Sequence, residues 1–286
     1  MKRRILALGI IACALCVGCG QKQADPLDVL GAATTDAELM ELRNHPDPDV
    51  RWLATIKLAG PAPRSAEHNG LFKPLLFDED IITEVTTDPV SCQKLTLVEL
   101  WVSARSRGDV SFQELVPDLS KLLADEDPWV RQVAASILGH CGSPAAAAMP
   151  ALRRRFEEES SDLEVRWRAA LAMEKIEPGS MVAEIKEAIQ DADVLPYVLR
   201  AMKDYAETGP AGTQFMEDLL DVLCRIETGE ISSALPKSDL DDCVVSIENM
   251  LSQYGHHEPR LVELYRSYFG RGADESISWV IEKATE

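Results

Sequence analysis

The chain has 286 residues, with 48 acidic against 29 basic side chains and a formal charge of −19. So negative a surface excludes nucleic acid as a partner and repels anionic lipid headgroups; it suits a basic partner or simply keeps the chain soluble. Aromatic residues make up only 6% of the chain, so Leu, Ala and Val carry the packing.

At the N-terminus, Lys2-Arg3-Arg4 precedes an unbroken apolar stretch from Ile5 to Gly18, the charged and hydrophobic regions of an export signal. At about 1.5 Å per residue this stretch falls short of a bilayer core of roughly 30 Å, so residues 1–18 read as a signal peptide and not as a spanning helix. The stretch closes on Cys16-Val17-Gly18-Cys19-Gly20, which resembles the lipobox of bacterial lipoproteins. That resemblance implies cleavage before Cys19 and acylation of its thiol, although Cys16 stands where the motif usually has leucine. An ordinary secretory signal without lipid is the alternative. Loss of Lys2, Arg3 and Arg4 with the signal takes the formal charge from −19 to −22, because no acid precedes Asp25. Two or three acyl chains hold firmly, since each buried CH₂ contributes about 0.8 kcal/mol. The mature protein is therefore expected on a membrane of the cell envelope, facing the periplasm or exterior. Gly20, in place of an aspartate, favours the outer membrane. Residues 19–35 form the lipidated cysteine and a tether.

Thr35-x-x-Glu38 is a capping box that opens the first helix. Then comes an octet, Asp-x-x-Val-Arg-x-x-Ala, found at Asp47 to Ala54, Asp127 to Ala134 and Asp162 to Ala169. Each aspartate reads as an N-cap that accepts from the free N–H groups of the first turn and offsets the helix dipole. Pro48 and Pro128 occupy N1, where a missing N–H does no harm. The valine and the alanine four residues on share one helical face, and the small alanine lets a neighbouring helix approach. The arginine follows the valine at the edge of that stripe, so Arg51, Arg131 and Arg166 are expected to bond carbonyls or an aspartate of the adjacent repeat as a structural ladder. Anion binding by these arginines is the functional alternative.

Between the first two copies, Pro61 to Asp80 is rich in proline and turn residues, and Asp88-Pro89 keeps the start of a diverged unit. Arg107-Gly108-Asp109 reads as a turn before a helix capped by Ser111-x-x-Glu114. The second copy is expected to end at Gly139, with Ser143-Pro144 opening a helix from Pro144 to Phe156. Arg153-Arg154-Arg155 runs into glutamates 157 to 159 and reads as salt-bridged helix surface. Asp162 follows Asp127 by 35 residues, within the roughly 35 to 45 of helical repeats. Asp191-Ala-Asp-Val194 is a decayed copy with Leu195 in the arginine's place. Further helices are expected over Thr213 to Ile226, Leu240 to Tyr254 and Pro259 to Phe269.

The segments DPDVRWLATIKLAG, DPWVRQVAASILGHCGSPAAAAMPAL and DLEVRWRAALAMEKI resemble HEAT-like repeats of the phycobilin-lyase type. The resemblance is specific over residues 120 to 178 and extends to 36 to 60. It implies an all-α protein, an α-solenoid of stacked antiparallel helix pairs that binds other proteins, with no chemistry of its own in most members. The organisation expected is a solenoid over residues 36–200 and diverged helical repeats or a cap over 201–286.

Motifs for chemistry are scarce. No Gly-rich phosphate loop, G-x-S-x-G elbow or H-E-x-x-H is present. His140-Cys141 and His256-His257 lack zinc spacing, and Asp239, Asp241 and Asp242 read as acids of a helix N-terminus, so no metal, cofactor or catalytic residue is assigned. In an oxidising compartment Cys92, Cys141, Cys224 and Cys243 either pair, with Cys224 and Cys243 the best-spaced couple, or stay as isolated buried thiols. Trp52, Trp129 and Trp167 each lie within two residues of a repeat valine. They pack into the seams between repeats or, if exposed, form a strip for a partner. The function expected is a membrane-anchored, non-enzymatic scaffold for an unidentified protein. The rivals are a bilin lyase or isomerase, and an envelope sensor of a metal or ligand.

Overall fold

The computed structural model describes residues 26–62, 64–77, 81–83, 90–107, 110–206, 214–231 and 236–255. The export signal, Cys19, Asp88-Pro89, the Gly108-Asp109 turn, His256-His257 and the expected helix from Pro259 to Phe269 lie outside the described residues. The chain divides into two compact units between Asp118 and Leu119, inside the stretch expected to be one solenoid.

In the first unit α1 (Pro26–Ala32) and α2 (Asp36–Leu42) pack against α3 (Pro48–Ala59). The capping box forms as expected, Thr35 accepting from the Glu38 N–H while the Glu38 carboxylate accepts from the Thr35 N–H. After α4 (Ala66–Gly70) and a 3-10 turn at Lys73–Leu75, the one strand pairing among the described residues is antiparallel, β1 (Ile81–Thr83) with β2 (Val90–Ser91). Its β-branched residues suit a strand, and it occupies the place of the diverged repeat. Helix α5 (Cys92–Arg107) then covers a core of Phe72, Leu76, Leu97, Leu100 and Ala104. A buried polar knot ties α4 to α5. Arg64 pairs with Glu99 at 2.7 Å and donates from its backbone to Ser103, whose hydroxyl bonds Asn69.

The second unit contains the end of α6 (Val116–Leu122), then α7 (Pro128–Cys141), α8 (Met149–Glu158), α9 (Leu163–Ile176), α10 (Val182–Gln190), α11 (Leu195–Ala206), α12 (Met216–Glu227) and α13 (Lys237–Gly255). Helices α7, α9, α11 and α13 pack side by side in series, with α8 set against α9, α10 against α11, and α12 against α13. This is the α-solenoid of helix pairs that the octets imply. Helix α11 packs on both α9 and α13.

Each octet starts its helix as the sequence requires. Asp47, Asp127 and Asp162 cap α3, α7 and α9 by accepting from the N–H groups of Asp49, Trp129 and Val165. Val50 and Ala54, Val130 and Ala134, and Val165 and Ala169 are all buried. The boundaries differ from expectation where proline intervenes. Helix α7 runs to Cys141 and stops at Gly142, whose φ of 61° and ψ of −144° suit only glycine. Gly139 instead lies inside the helix, where α9 comes close. A 3-10 turn at Ser143–Ala148 then precedes α8, because Pro150 has no N–H to give the Ala146 carbonyl and a continuous α-helix is interrupted. The same construction replaces the helix expected after Ser111, a 3-10 turn at Val110–Leu115 giving way to α6 at Val116-Pro117. In the decayed copy Asp191 holds a turn by accepting from the Asp193 N–H, and α11 starts only at Leu195-Pro196.

The arginine ladder is partial. Arg51 donates to the carbonyls of His45 and Pro46, and Arg131 to those of Asp125 and Glu126, the same two positions upstream in each copy. Arg131 also lies 3.2 Å from Glu159, a glutamate of the next loop and not the expected aspartate. Arg166 leaves the pattern: its guanidinium sits 4.9 Å from the Phe156 ring, an apolar platform that α8 supplies in place of loop carbonyls.

Two buried acids fasten the stack. Glu159 accepts from Ser161 at 2.6 Å and Arg155 at 3.1 Å. Burial opposes its ionisation, but the Ser161 hydrogen bond and the charges of Arg131 and Arg155 outweigh that and hold its carboxyl below the usual range. Glu174, fully buried on α9, accepts from the backbone N–H groups of Gly179 and Met181 and from the Gln214 amide. Helix α10 has no side-chain cap of its own, so Glu174 supplies one from the helix before.

Candidate partner-binding surface

Once valine and alanine turn inward, the residues on the outer side of α7, α9 and α11 are fixed. On α9 the outward stripe is Glu164, Arg168 and Lys175, at helical spacings of four and seven. Arg168 donates to Glu164 Oε1 from two nitrogens, at 3.1 and 2.9 Å, and reaches across the seam to the Ser136 hydroxyl of α7 at 2.9 Å. Glu164 Oε2 lies 3.6 Å from Arg200 of α11. One carboxylate thus sits between arginines on successive helices.

Arg200 is more than half exposed and stacks its guanidinium 5.3 Å from the Tyr197 ring, while exposed Lys203 stands one turn beyond it. On the far side is the acidic start of α13. Burial first, then Asp239 and Asp242, push the Cys243 thiol up to about 11, and Arg200 acts in the opposite sense. Arg168, Lys175, Arg200 and Lys203, with the Glu164 carboxylate paired between the two arginines, make a strip rich in cations in a chain whose formal charge is −19. Between α7 and α9 the strip has a recess floored by Ala135, Gly139, Ala172 and Ala201 and rimmed by Ser136, Arg168 and Lys175. With room for about one water molecule (≈ 20 Å³), the recess suits the tip of a side chain and not a cofactor.

The sequence-predicted tryptophans lie on three helices, Trp52 on α3, Trp129 on α7 and Trp167 on α9. Trp167 is only 6% exposed and meets Phe156 edge-on at 5.6 Å between α8 and α9, the seam position. Trp129 and Trp52 are half-buried, Trp52 in the first unit and Trp129 at the start of α7. Sequence reasoning missed the cationic strip. Its signal was available in Glu164-x-x-x-Arg168 and in Arg168, Lys175 and Arg200, but only after the helices had been phased.

Other candidate sites resolve as structure. Arg154 pairs with Glu158 and Arg155 with Glu159, as expected of salt-bridged surface. His140 and Cys141 are buried in α7, and the Cys141 thiol donates to the Ile137 carbonyl. Cys141, Cys224 and Cys243 are free thiols. Among the described residues no three His, Cys, Asp or Glu side chains are grouped to hold a metal ion, and no helix is long and apolar enough to cross a membrane.

Residues 100–174 and 116–204 match the family model for HEAT repeats. The matched span takes in α7, α9 and α11, the helices that carry the strip. No curated protein and no solved structure matches the chain.

Proposed function

We propose that this protein is a scaffold, lipid-anchored through Cys19 and facing an extracytoplasmic space, that binds another protein along its solenoid and performs no reaction of its own. The observation that carries the binding role is the cationic strip. Repeat stacking brings side chains of α9 and α11 together, four of them cationic beside the single carboxylate of Glu164, in a chain that is acidic as a whole. Such a strip fits a carboxylate-bearing segment of a partner, steered at short range by Arg200 and Lys203. The anchor rests on the export signal and on the Cys16-Val17-Gly18-Cys19 motif.

The test is crosslinked affinity capture from cells with the wild type, Cys19→Ala and the double variant Arg200→Glu/Lys203→Glu. The expected result is a dominant partner with the wild type, its loss with the double variant, and loss of membrane partition with Cys19→Ala. Retention of the same partner by the charge-reversed variant would remove the strip from the binding role. Titration of the purified chain with bilins, together with metal analysis, covers the enzyme and sensor alternatives.

A further inference from the structure

On α9 the one acid of the strip, Glu164, sits in the first turn and is matched by Arg168 and Arg200. Beyond Arg168, residues 169 to 173 contain no acid, and Glu174 is fully buried. The outward stretch of α9 therefore runs from one cation, Arg168, to another, Lys175, while Arg200 and Lys203 are exposed on the neighbouring α11. Between Arg168 and Lys175 the surface dips. Ala135, Ala172 and Ala201 are buried and end at Cβ, and Gly139 brings α7 so near that a Cβ there would lie 3.0 Å from the Ala172 Cα. The recess, with a volume of ≈ 20 Å³, takes a methyl group and stops a branched side chain.

We infer that the strip binds an α-helix of the partner that carries two carboxylates seven residues apart and, between them on the same face, an alanine whose methyl enters the recess. The inference rests on the proposed binding role of the strip and names what the partner presents to it. Its grounds are charge complementarity and spacing. Arg168 and Lys175 stand seven residues apart on one helix, about 10.5 Å along its axis. A second helix laid along the seam repeats that distance between its own residues i and i+7, with i+4 falling between them. On an extended strand, side chains of one face recur about every 6.7 Å, so successive choices of about 6.7 and 13.4 Å straddle the distance between the cations. Size and charge are coupled in this arrangement, because a side chain too large for the recess lifts the helix and draws both carboxylates away from their cations.

The test is an NMR titration of the purified chain with three stapled helical peptides of about 15 residues, otherwise uncharged. The first has Glu at two positions seven apart with Ala between them on that face; the second has Leu in place of that Ala; the third has one Glu moved two residues, off the face. The first should give saturable shifts at the amides of Arg168, Ala172, Lys175 and Ala201. The second should bind about tenfold more weakly, the usual scale of an overpacked contact, and the third should lose affinity to a similar extent. Free glutamate at the same carboxylate concentration should move these amides much less. Equal affinity for the Ala and Leu peptides, or for the two Glu spacings, overturns the inference and leaves an acidic partner of another shape. Shifts from free glutamate as large as those from the first peptide reduce the strip to a general anion site and overturn it as well. If none of the peptides gives saturable shifts at about millimolar concentration, the helical partner is refuted, and capture with Arg200→Glu/Lys203→Glu decides separately whether the strip binds a protein at all.

Discussion

Gly139→Ala sets two effects against each other in the middle of α7. Alanine is the better helix former by about 1 kcal/mol, which alone would make the variant more stable. A Cβ at position 139, however, would lie 3.0 Å from the Ala172 Cα, 3.2 Å from the Ala172 Cβ and 3.4 Å from the Lys175 Cδ. The lysine methylene can rotate away. The Ala172 backbone cannot, so α7 and α9 must part by a few tenths of an ångström along a seam already lined by Ala135 and Ala201. Overpacking of this kind costs about 1 to 3 kcal/mol, and the net expectation is a loss of about 1 kcal/mol, or roughly 3 °C in Tm. Gly31→Ala in α1 is the control, because a Cβ there meets nothing within 4 Å and only the helix gain remains. Urea and thermal unfolding of the mature chain, followed by circular dichroism, would measure both. A Gly139→Ala variant as stable as its parent would refute the close-approach argument.

Three further perturbations address the buried charges and caps. Glu159→Gln should cost about 2 kcal/mol at pH 7 by stripping Arg131 and Arg155 of their shared carboxylate. Because the Glu159 carboxyl is held below its usual range, the stability it adds is present above the ordinary carboxylate pKa and is lost as pH falls through the depressed one. Urea titrations at pH 7 and pH 3 should therefore show the gap between variant and parent narrowing in acid. Glu174→Leu leaves the N–H groups of Gly179 and Met181 unpaired, a loss of at least about 2 kcal/mol. Hydrogen exchange should show those two amides exposed first, with Glu174→Gln milder. Asp49 is pushed up to about 6, by burial first and by Asp47 second, so its charged form weakens the fold as pH rises toward and above 6. Asp49→Asn should therefore gain on the order of 1 kcal/mol at pH 8, after allowance for solvent screening, and nothing below pH 4. Equal gains at both pH values would contradict that assignment.

The octet made the second unit legible because it states its own physics: an aspartate cap, a proline that gives up an N–H, and a valine and alanine on one face. All three caps and all six inward residues are where that reasoning puts them. The misreadings came from donors that proline removes. Pro117 and Pro150 each lie one residue inside an α-helix that a 3-10 turn precedes, and both were visible in the sequence. Other features were not legible in principle. Glu174 caps a helix it does not belong to, and Arg168 reaches a serine 32 residues away. Such pairings depend on how α9 is rotated against its neighbours, which no local pattern encodes. The strand pair at Ile81–Thr83 and Val90–Ser91 was hidden for a related reason, since an Asp-Pro start competes with a short β-branched run.

The octet position directly after the arginine shows where repetition stops determining the molecule. In the second copy it is Gln132, whose amide lies 3.4 Å from Asp162, the cap of the next repeat. In the first and third copies it is Trp52 and Trp167, whose indole N–H groups meet no acceptor among the described residues. The same register therefore links repeats in one case and only packs in the others. Linkage elsewhere is carried by residues outside the octet, Glu159, Ser136, Glu164 and Glu174 among them. A stack stabilised by nearest-neighbour seams leaves its outward residues with little structural duty. Lys203 fits that description, and Arg200, more than half exposed, adds only a solvent-screened contact with Glu164 at 3.6 Å, so reversing both charges should shift stability by about 1 kcal/mol or less. Binding on this strip can for that reason be separated from folding by mutation, as it could not be at Arg131 or Glu159, where the same charges hold the repeats together.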